Sequence, residues 1–225
     1  MTQLPAAVLF DMDGTIVDTE PYWMTAESEL VHSYGGTWTH DDGLSLVGNG
    51  LEVSAAVLQS RGVDLDIPTI IDRLTNRVVE QLAERGVPWR PGAQELLREV
   101  REAGLPTALV TMSFRRMAEQ ITRSIPFDSF APFDVIVTGD EVEHPKPHPE
   151  AYLTAAERLG VAASDSVAIE DSLGGLAAAV AAGTVAVGVP HLVPLPESGE
   201  HTIWPTLEGR TLADLRDLAA QKARA

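Results

Sequence analysis

A short apolar segment near the start of the chain is followed directly by two carboxylates. Residues 6–10 have the composition of a buried strand, and Asp11-Met12-Asp13-Gly14-Thr15 comes immediately after them. Side chains two positions apart on a strand point to the same side, and Gly14 permits a sharp turn. Alone, the segment fits either an ordinary surface turn or a ligand site at the carboxyl end of a strand in an α/β sheet.

Further apolar segments along the chain predict more strands of the same kind. They occupy residues 107–110, 133–137, 166–169 and 184–188. Helical patterns separate them, at residues 93–103, 114–124, 149–159 and 173–182. Continuous apolar strands that alternate with helices are typical of a parallel sheet covered on both faces. The sequence therefore predicts an α/β fold with a Rossmann-like parallel sheet core.

Residues 18–89 interrupt this alternation and show no strand pattern. Helical patterns at 21–34, 51–61 and 68–85 are separated by glycine-containing breaks. We call residues 18–89 the helical insert and expect it to form an all-helical cap domain. Residues 1–17 and 90–225 then form the core domain.

Composition limits the classes of partner and of chemistry. The formal net charge of −17 disfavours nucleic acid and anionic membranes as partners. The absence of cysteine excludes disulfides, zinc–thiolate sites and cysteine nucleophiles. No segment is long enough to span a bilayer, and residues 1–5 lack the basic region of a signal peptide. We expect a monomeric cytoplasmic protein that acts on a small molecule.

Polar side chains follow four of the predicted strands. They are Asp11 and Asp13, then Thr111 and Ser113, then Lys146, and finally Glu170 and Asp171. Each has an ordinary explanation when taken alone: a strand-end threonine, a surface lysine, an acidic pair at a helix N-terminus. Because parallel strands end at one edge of the sheet, these groups are expected to converge. Carboxylates, an ammonium group and a hydroxyl suit the binding of a phosphoryl group with a hard cation such as Mg²⁺.

In this order, the motifs resemble those of the haloacid dehalogenase-like hydrolases. The residues concerned are Asp11-Met12-Asp13-Gly14-Thr15, Thr111, Lys146 and Glu170-Asp171. The segments 170–175 and 181–183 resemble the branch that contains β-phosphoglucomutase and sugar-phosphate phosphatases. That branch has a helical cap between its first and second motifs. The resemblance implies a Mg²⁺-dependent phosphatase that hydrolyses a small phosphate monoester, a sugar or polyol phosphate, through an aspartyl phosphate.

The resemblance also implies roles for the acidic residues. Asp11 would be the nucleophile and a ligand of Mg²⁺. Asp13 would be the general acid and base, with its backbone carbonyl on the metal. Asp171 would supply a further carboxylate to the metal, and Glu170 would support it directly or through water.

The phosphoryl group would be held by three other residues according to the same resemblance. These are the hydroxyl of Thr111, the backbone N–H of Met112 and the ammonium group of Lys146. The further candidates for contact with the substrate are Trp23, Asn49, Arg77, Ser113 and Arg115.

A phosphosugar mutase of the β-phosphoglucomutase type is the principal alternative. Trp23 stands where that mutase has a histidine, and its cap-loop arginine has no counterpart near residues 48–51. A mutase retains a bisphosphate intermediate, which requires additional cationic contacts, so these departures favour transfer to water. Arg77 could supply part of the missing charge. The segment 18–23 resembles phosphatases that act on small sugar or polyol phosphates.

Other readings are less consistent with the motifs. A non-catalytic binding protein on the same fold would be expected to lack the nucleophile or a metal carboxylate. A dehalogenase needs no Mg²⁺, so Glu170-Asp171 argues against it. His144 and His148 suggest a metal pair, but the three prolines at positions 145, 147 and 149 favour a rigid loop that presents Lys146.

Overall fold

The structure, a computed structural model, describes residues 4–125, 127 and 131–222; residues 1–3 of the N-terminal segment lie outside them. Within the described residues, the strands form one six-stranded sheet in which every pairing is parallel. The strands are β1 (Val8–Phe10), β2 (Thr107–Val110), β3 (Val135–Val137), β4 (Val167–Glu170), β5 (Val185–Gly188) and β6 (His201–Ile203). Their spatial order is β3-β2-β1-β4-β5-β6. The predicted α/β class and parallel sheet are therefore confirmed.

Helices follow the first strand, lie between most of the later strands and end the described chain. They are α1 (Glu20–Ser33), α2 (His40–Leu44), α3 (Leu51–Ser60), α4 (Ile67–Arg85), α5 (Ala93–Glu102), α6 (Arg115–Arg123), α7 (Glu150–Leu159), α8 (Leu173–Ala181) and α9 (Leu212–Lys222). None of the described helices is long and apolar enough to cross a membrane.

The sheet is buried on both faces, as its continuous apolar strands predict. In β1, Val8 and Phe10 belong to one hydrophobic cluster and Leu9 belongs to another. All three side chains are fully buried. Alternate residues of a strand face opposite sides, so β1 contributes to both cores. Packing on both faces fixes the position of β1, and therefore also the position of the residues that directly follow it.

The helical insert lies between β1 and α5. Within it, α1 packs against α2 and α4, and α3 packs against α4. The two connections to the core run side by side. The N–H of Asp18 donates to the carbonyl of Pro88 at 2.7 Å, and the N–H of Arg90 donates to the carbonyl of Ile16 at 3.0 Å. The division into a core domain and a cap domain at these connections stays a prediction.

Three elements were not expected from the sequence. Strand β6 has intermediate burial throughout and no apolar run, so periodicity gives little sign of it. Helix α2 has only five residues, below the length at which a helical pattern is recognisable. Helix α9 packs on α5 and β5 and closes the outer side of the sheet. The other helices and strands lie within two residues of their expected bounds.

Candidate active site

The chain turns sharply after β1, so both carboxylates lie at the edge of the sheet. The N–H of Asp11 still donates to the carbonyl of Ile169 at 3.0 Å. Gly14 then adopts a positive φ of 79°, which glycine reaches without steric cost. A Cβ atom at Gly14 would lie 1.9 Å from Oδ2 of Asp171. The glycine is therefore required both by the turn and by the close approach of that carboxylate.

Three buried carboxylates meet at this edge. Asp11, Glu170 and Asp171 each offer an oxygen, and these oxygens lie within 4.8 Å of one another. Asp11 and Asp171 are each 6 % exposed and Glu170 is fully buried. Oδ2 of Asp11 has no hydrogen-bond partner among the described residues. Such a group of hard oxygen ligands, one of them unpartnered, suits a divalent cation.

Lys146 places one positive charge among these carboxylates. Its Nζ donates to Oδ1 of Asp11 at 2.8 Å, to Oε1 of Glu170 at 2.6 Å and to the carbonyl of Val110 at 2.8 Å. Burial by itself would lower the pKa of Lys146, but the charges of Asp11 and Glu170 raise it above its usual value. The lysine is therefore a permanent cation at the site.

The two carboxylates after β4 differ in their surroundings. Glu170 also accepts a hydrogen bond from the hydroxyl of Tyr152, and a Cβ atom at Gly175 would lie 2.0 Å from its Oε2. Burial, and then the charge of Asp11, raise the pKa of Glu170. Burial and the charges of Asp11 and Glu170 raise the pKa of Asp171. Without a bound cation, full ionisation of Asp11, Glu170 and Asp171 together is therefore unfavourable.

Asp13 is held by hydroxyl groups from both parts of the molecule. Its Oδ2 accepts from Ser113 at 2.7 Å and from Thr111 at 3.2 Å. Its Oδ1 accepts from Thr19, which directly precedes α1. The indole Nε1 of Trp23 lies 3.5 Å from the same oxygen. Burial raises the pKa of Asp13, against the opposing effect of these hydrogen bonds.

A pocket lies between this edge of the sheet and the helical insert. Of the predicted site residues, it is lined by Asp11, Asp13, Trp23, Asn49, Thr111, Met112, Ser113, Lys146 and Asp171. Glu170 lies directly beneath it, bound to Lys146. The structure thus brings together all the predicted catalytic, metal and phosphate-binding residues, although their roles stay predictions.

Arg77 and Arg115 are not among the residues that line the pocket. Arg77 lies on α4, where its Nε donates to Glu29 of α1 at 2.7 Å. Arg115 pairs with Glu141 and also donates to the carbonyl of Ile136. Both guanidinium groups are held by partners outside this pocket, and the expectation that they contact the substrate stays a prediction.

Sequence reasoning missed several residues on the insert side of the pocket. Glu20, Glu27, Ser54 and Leu74 line it, and Thr19 reaches Asp13 from just before α1. Burial raises the pKa of Glu20 to about 7 and that of Glu27 to about 8. The sequence did contain one signal for these residues. Glu20, Trp23 and Glu27 are spaced so that they share one face of a predicted helix, and Trp23 was already a candidate for substrate contact.

His144 and His148 lie on the exposed loop around Lys146. Together with Glu150 they form a group whose ligand atoms lie within 4.8 Å of one another. The carboxylate of Glu150 already accepts the backbone N–H groups of Glu143 and His144, at 2.8 and 3.0 Å. This arrangement fastens the loop to the start of α7, in keeping with the expectation of a loop that presents Lys146.

Comparisons with known proteins agree with this geometry. The family model of haloacid dehalogenase-like hydrolases matches residues 8–189. A phosphorylated carbohydrates phosphatase of Thermotoga maritima is 34% identical over 190 residues, which cover 82% of this chain and 85% of that protein. Hexitol phosphatase B of Escherichia coli O157:H7 is 31% identical over 219 residues, which cover 96% and 95%.

A solved structure gives the same result. A mutant of CbbY from Rhodobacter sphaeroides, in complex with xylulose-(1,5)bisphosphate, superposes with a TM-score of 0.86 and 30% sequence identity. The match covers 94% of this chain and 99% of that one. The ordered motifs, the parallel sheet and the family match lead to one conclusion: the chain belongs to the haloacid dehalogenase-like hydrolases and is a phosphoric monoester hydrolase.

Proposed function

We propose that this protein is a Mg²⁺-dependent phosphatase that hydrolyses a small sugar or polyol phosphate through an aspartyl phosphate. The observation that carries the proposal is the position of Asp11. One of its carboxylate oxygens is bound by Lys146, and the other is buried without a hydrogen-bond partner among the described residues. The carboxylate lies in one group with those of Glu170 and Asp171. The names of the phosphatases similar to this chain support the substrate class.

The residues present fit a divalent cation. Three carboxylates lie together and two of them contact the ammonium group of Lys146, so the ionised cluster carries an excess of two negative charges. Asp11 and Asp171 would hold Mg²⁺ together with the backbone carbonyl of Asp13, and Glu170 would support them. When bound, the cation supplies positive charge that offsets the negative oxygens of the phosphate monoester.

Asp11 is the nucleophile in this proposal. A carboxylate oxygen attacks phosphorus, the bond to the ester oxygen breaks, and the phosphoryl group is transferred to the side chain. Lys146, Thr111 and the N–H of Met112 bind the transferring group. Because Lys146 and Asp11 are fixed by mutual contact at 2.8 Å, nucleophile and phosphate-binding cation keep their relative position throughout.

Asp13 acts as the acid and then as the base. Its raised pKa favours the protonated form needed to donate a proton to the leaving oxygen. The resulting carboxylate then takes a proton from the water that hydrolyses the aspartyl phosphate. Ser113, Thr111 and Thr19 orient its side chain from both sides of the pocket.

Hydrolysis is favoured over a mutase reaction by the charges of the pocket. Among its described lining residues, Lys146 is the only cation. A mutase must hold a bisphosphate, whose second phosphate would find no positive partner here. Incubation with β-glucose 1-phosphate, with and without glucose 1,6-bisphosphate, tests this: we expect free phosphate, whereas faster formation of glucose 6-phosphate would establish the mutase.

The remaining parts of the proposal concern the protein as a whole. We propose a monomer that acts in the cytoplasm on a phosphorylated metabolite, with residues 18–89 as a cap over the core. A screen of phosphorylated metabolites with Mg²⁺, read as released phosphate, tests the central claim. Release from no sugar or polyol phosphate, with a folded protein, would overturn it.

A further inference from the structure

One face of α1 is directed into the pocket. Glu20, Trp23 and Glu27 are spaced by three and four positions, so they lie along the same side of the helix, and all three line the pocket. Trp23 lies next to the carboxylate of Asp13. Glu27 is one helical turn further along, about 6 Å in the direction of the axis. It therefore faces the part of a substrate that lies beyond the phosphoester bond.

Glu27 is buried although one of its carboxyl oxygens has no hydrogen-bond partner among the described residues. The residue is 5 % exposed, and the oxygen concerned is Oε2. Gly43 of α2 lies alongside: a Cβ atom there would be 3.7 Å from Oε2. An unpaired buried polar group destabilises the folded protein. A group of this kind in the wall of a binding pocket is paired when a ligand enters.

The charges at this end of the pocket restrict that ligand. Lys146 is the single cation among the lining residues that the structure describes, and it is bound at the opposite end by Asp11 and Glu170. The insert end offers carboxyl groups, the hydroxyl of Ser54 and leucine side chains. A second phosphate would be buried there without a positive partner, which is strongly unfavourable.

We propose that Glu27 is a specificity-determining residue that hydrogen-bonds a hydroxyl group of the leaving group, remote from the phosphoester. The insert end of the pocket then selects polyhydroxy compounds with a single phosphate and no other charge. A hydroxyl group both donates and accepts hydrogen bonds. A carboxyl group can accept a hydrogen bond from it and, when protonated, can donate one to it. This inference rests on the proposed phosphatase function, and it adds the residue that recognises the leaving group.

The test compares substrates that differ only in the leaving group. The values of kcat/KM are measured with Mg²⁺ for sorbitol 6-phosphate, for hexyl phosphate, which has the same chain length without hydroxyls, and for p-nitrophenyl phosphate. The variants are Glu27→Leu and Glu27→Gln. Glu29→Gln is the matched control, because Glu29 lies on the same helix with an exposed side chain paired to Arg77.

We expect the wild type to prefer sorbitol 6-phosphate over hexyl phosphate by about 10–100-fold, as one or two hydrogen bonds would give. Glu27→Leu should abolish this preference while the turnover of p-nitrophenyl phosphate is kept. Glu27→Gln should retain most of the preference, since an amide still donates and accepts. Glu29→Gln should leave it unchanged. The wild type should also hydrolyse fructose 1,6-bisphosphate at least 10-fold less efficiently than fructose 6-phosphate.

An unchanged preference in Glu27→Leu would overturn the inference and leave the phosphatase function intact. A preference for the bisphosphate over fructose 6-phosphate would overturn it as well. So would a preference for an aminoalkyl phosphate that is lost in Glu27→Gln, because that result would identify an ammonium-binding site. Absence of turnover on every substrate, p-nitrophenyl phosphate included, would instead refute the proposed function. Should Glu27→Leu fail to fold, Glu27→Ala replaces it, and a preference for sorbitol 6-phosphate as large as that of Glu29→Gln would overturn the inference.

Discussion

The ammonium group of Lys146 lies 2.8 Å from Asp11 and 2.6 Å from Glu170, with all three side chains at least nine-tenths buried. Lys146 therefore has two tasks in the proposed enzyme. It binds the transferring phosphoryl group, and it compensates two carboxylates that are otherwise withdrawn from water. Both tasks depend on a side chain that reaches the cluster from the loop before α7.

Lys146→Met should impair activity and stability together. Loss of a positive donor to the phosphoryl group is expected to lower kcat/KM by about 10²–10³-fold. Two buried carboxylates lose their partner, so the free energy of unfolding should fall by about 3–5 kcal/mol. Phosphate release and urea unfolding measure the two effects. Arg123→Met is the control, since the pair of Arg123 with Glu119 is exposed and should affect neither.

Asp11→Asn should remove turnover and leave the fold intact, because an amide is a far poorer nucleophile. Asp13→Asn should lower kcat by about 10²–10⁴-fold through the loss of acid and base catalysis. It should also slow the hydrolysis of the aspartyl phosphate. Mass spectrometry of quenched reactions should then find a phosphoryl adduct on Asp11 in this variant. Wild-type activity in Asp11→Asn would rule out the covalent mechanism.

Removal of the metal should abolish activity, and Mg²⁺ should restore it. The protein should also become more stable on adding Mg²⁺, by about 2.7 kcal/mol at a concentration one hundred times the Kd. Asp171→Asn should lose most of this stabilisation. In EDTA the same variant should unfold at a higher temperature than the wild type, because one of three crowded buried carboxylates is gone. Asp41→Asn, at an exposed position of α2, serves as the control for both measurements.

The stability of the wild type should fall, relative to Glu27→Gln, as the pH rises from about 5 to about 8. Burial and the charge of Glu20 raise the pKa of Glu27 from 4.5 to about 8 in the folded protein. Between these values the folded chain keeps a proton that the unfolded chain releases, so a rising pH favours unfolding. The difference in Tm between Glu27→Gln and the wild type should grow across this window.

Glu29→Gln is the counterpart in this experiment. The hydrogen bond from Arg77 lowers the pKa of Glu29, so its titration lies below the window and its difference in Tm should stay flat. A difference for Glu27→Gln that is equally flat would mean that Glu27 is ionised and solvated in the folded state.

The helical insert should move toward the core when substrate binds. Its two connections are paired with each other near residues 16–18 and 88–90, and Thr19 and Trp23 reach Asp13 from the insert side. Closure would exclude water around Asp13 and Lys146. Small-angle scattering with Mg²⁺ and a phosphate analogue should give a smaller radius of gyration than the free protein. An unchanged radius with a substrate-sized analogue would argue against closure.

The sheet and the catalytic edge were predictable because their signals are local. A continuous apolar run identifies each central strand. Asp11 and Asp171 follow such runs within two residues, and Lys146 lies in the loop that connects β3 to α7. Strand β6 has no such run, since His201-Thr202-Ile203 is only half buried. Local sequence patterns could not predict which residues of the helical insert line the pocket. A glutamate on a helix usually faces water, and only the packing of α1 against α2 and α4 buries Glu27.

Arg77 is a charged candidate that the structure places away from the pocket. Its charge made it a candidate for the substrate, but α4 directs Ile70, Leu74 and Val78 inward, and Arg77 emerges beside Glu29. Which face of a helix meets a neighbour is decided by the whole fold, so the identity of a residue was a poor guide to its position here.

The central position of β1 has a consequence for how the molecule is made. Val8 pairs with Thr107 on one side and with Val167 on the other, partners that are synthesised about 100 and about 160 residues later. The strand that leads into both aspartates is therefore paired on both edges only after most of the chain has been synthesised. A growing chain that has not reached β4 has no Asp171 to complete the site, and β1 lacks its partner on at least one edge. Phosphatase activity should thus appear only at the last stage of folding, which makes it a direct reporter of completed molecules in a refolding experiment.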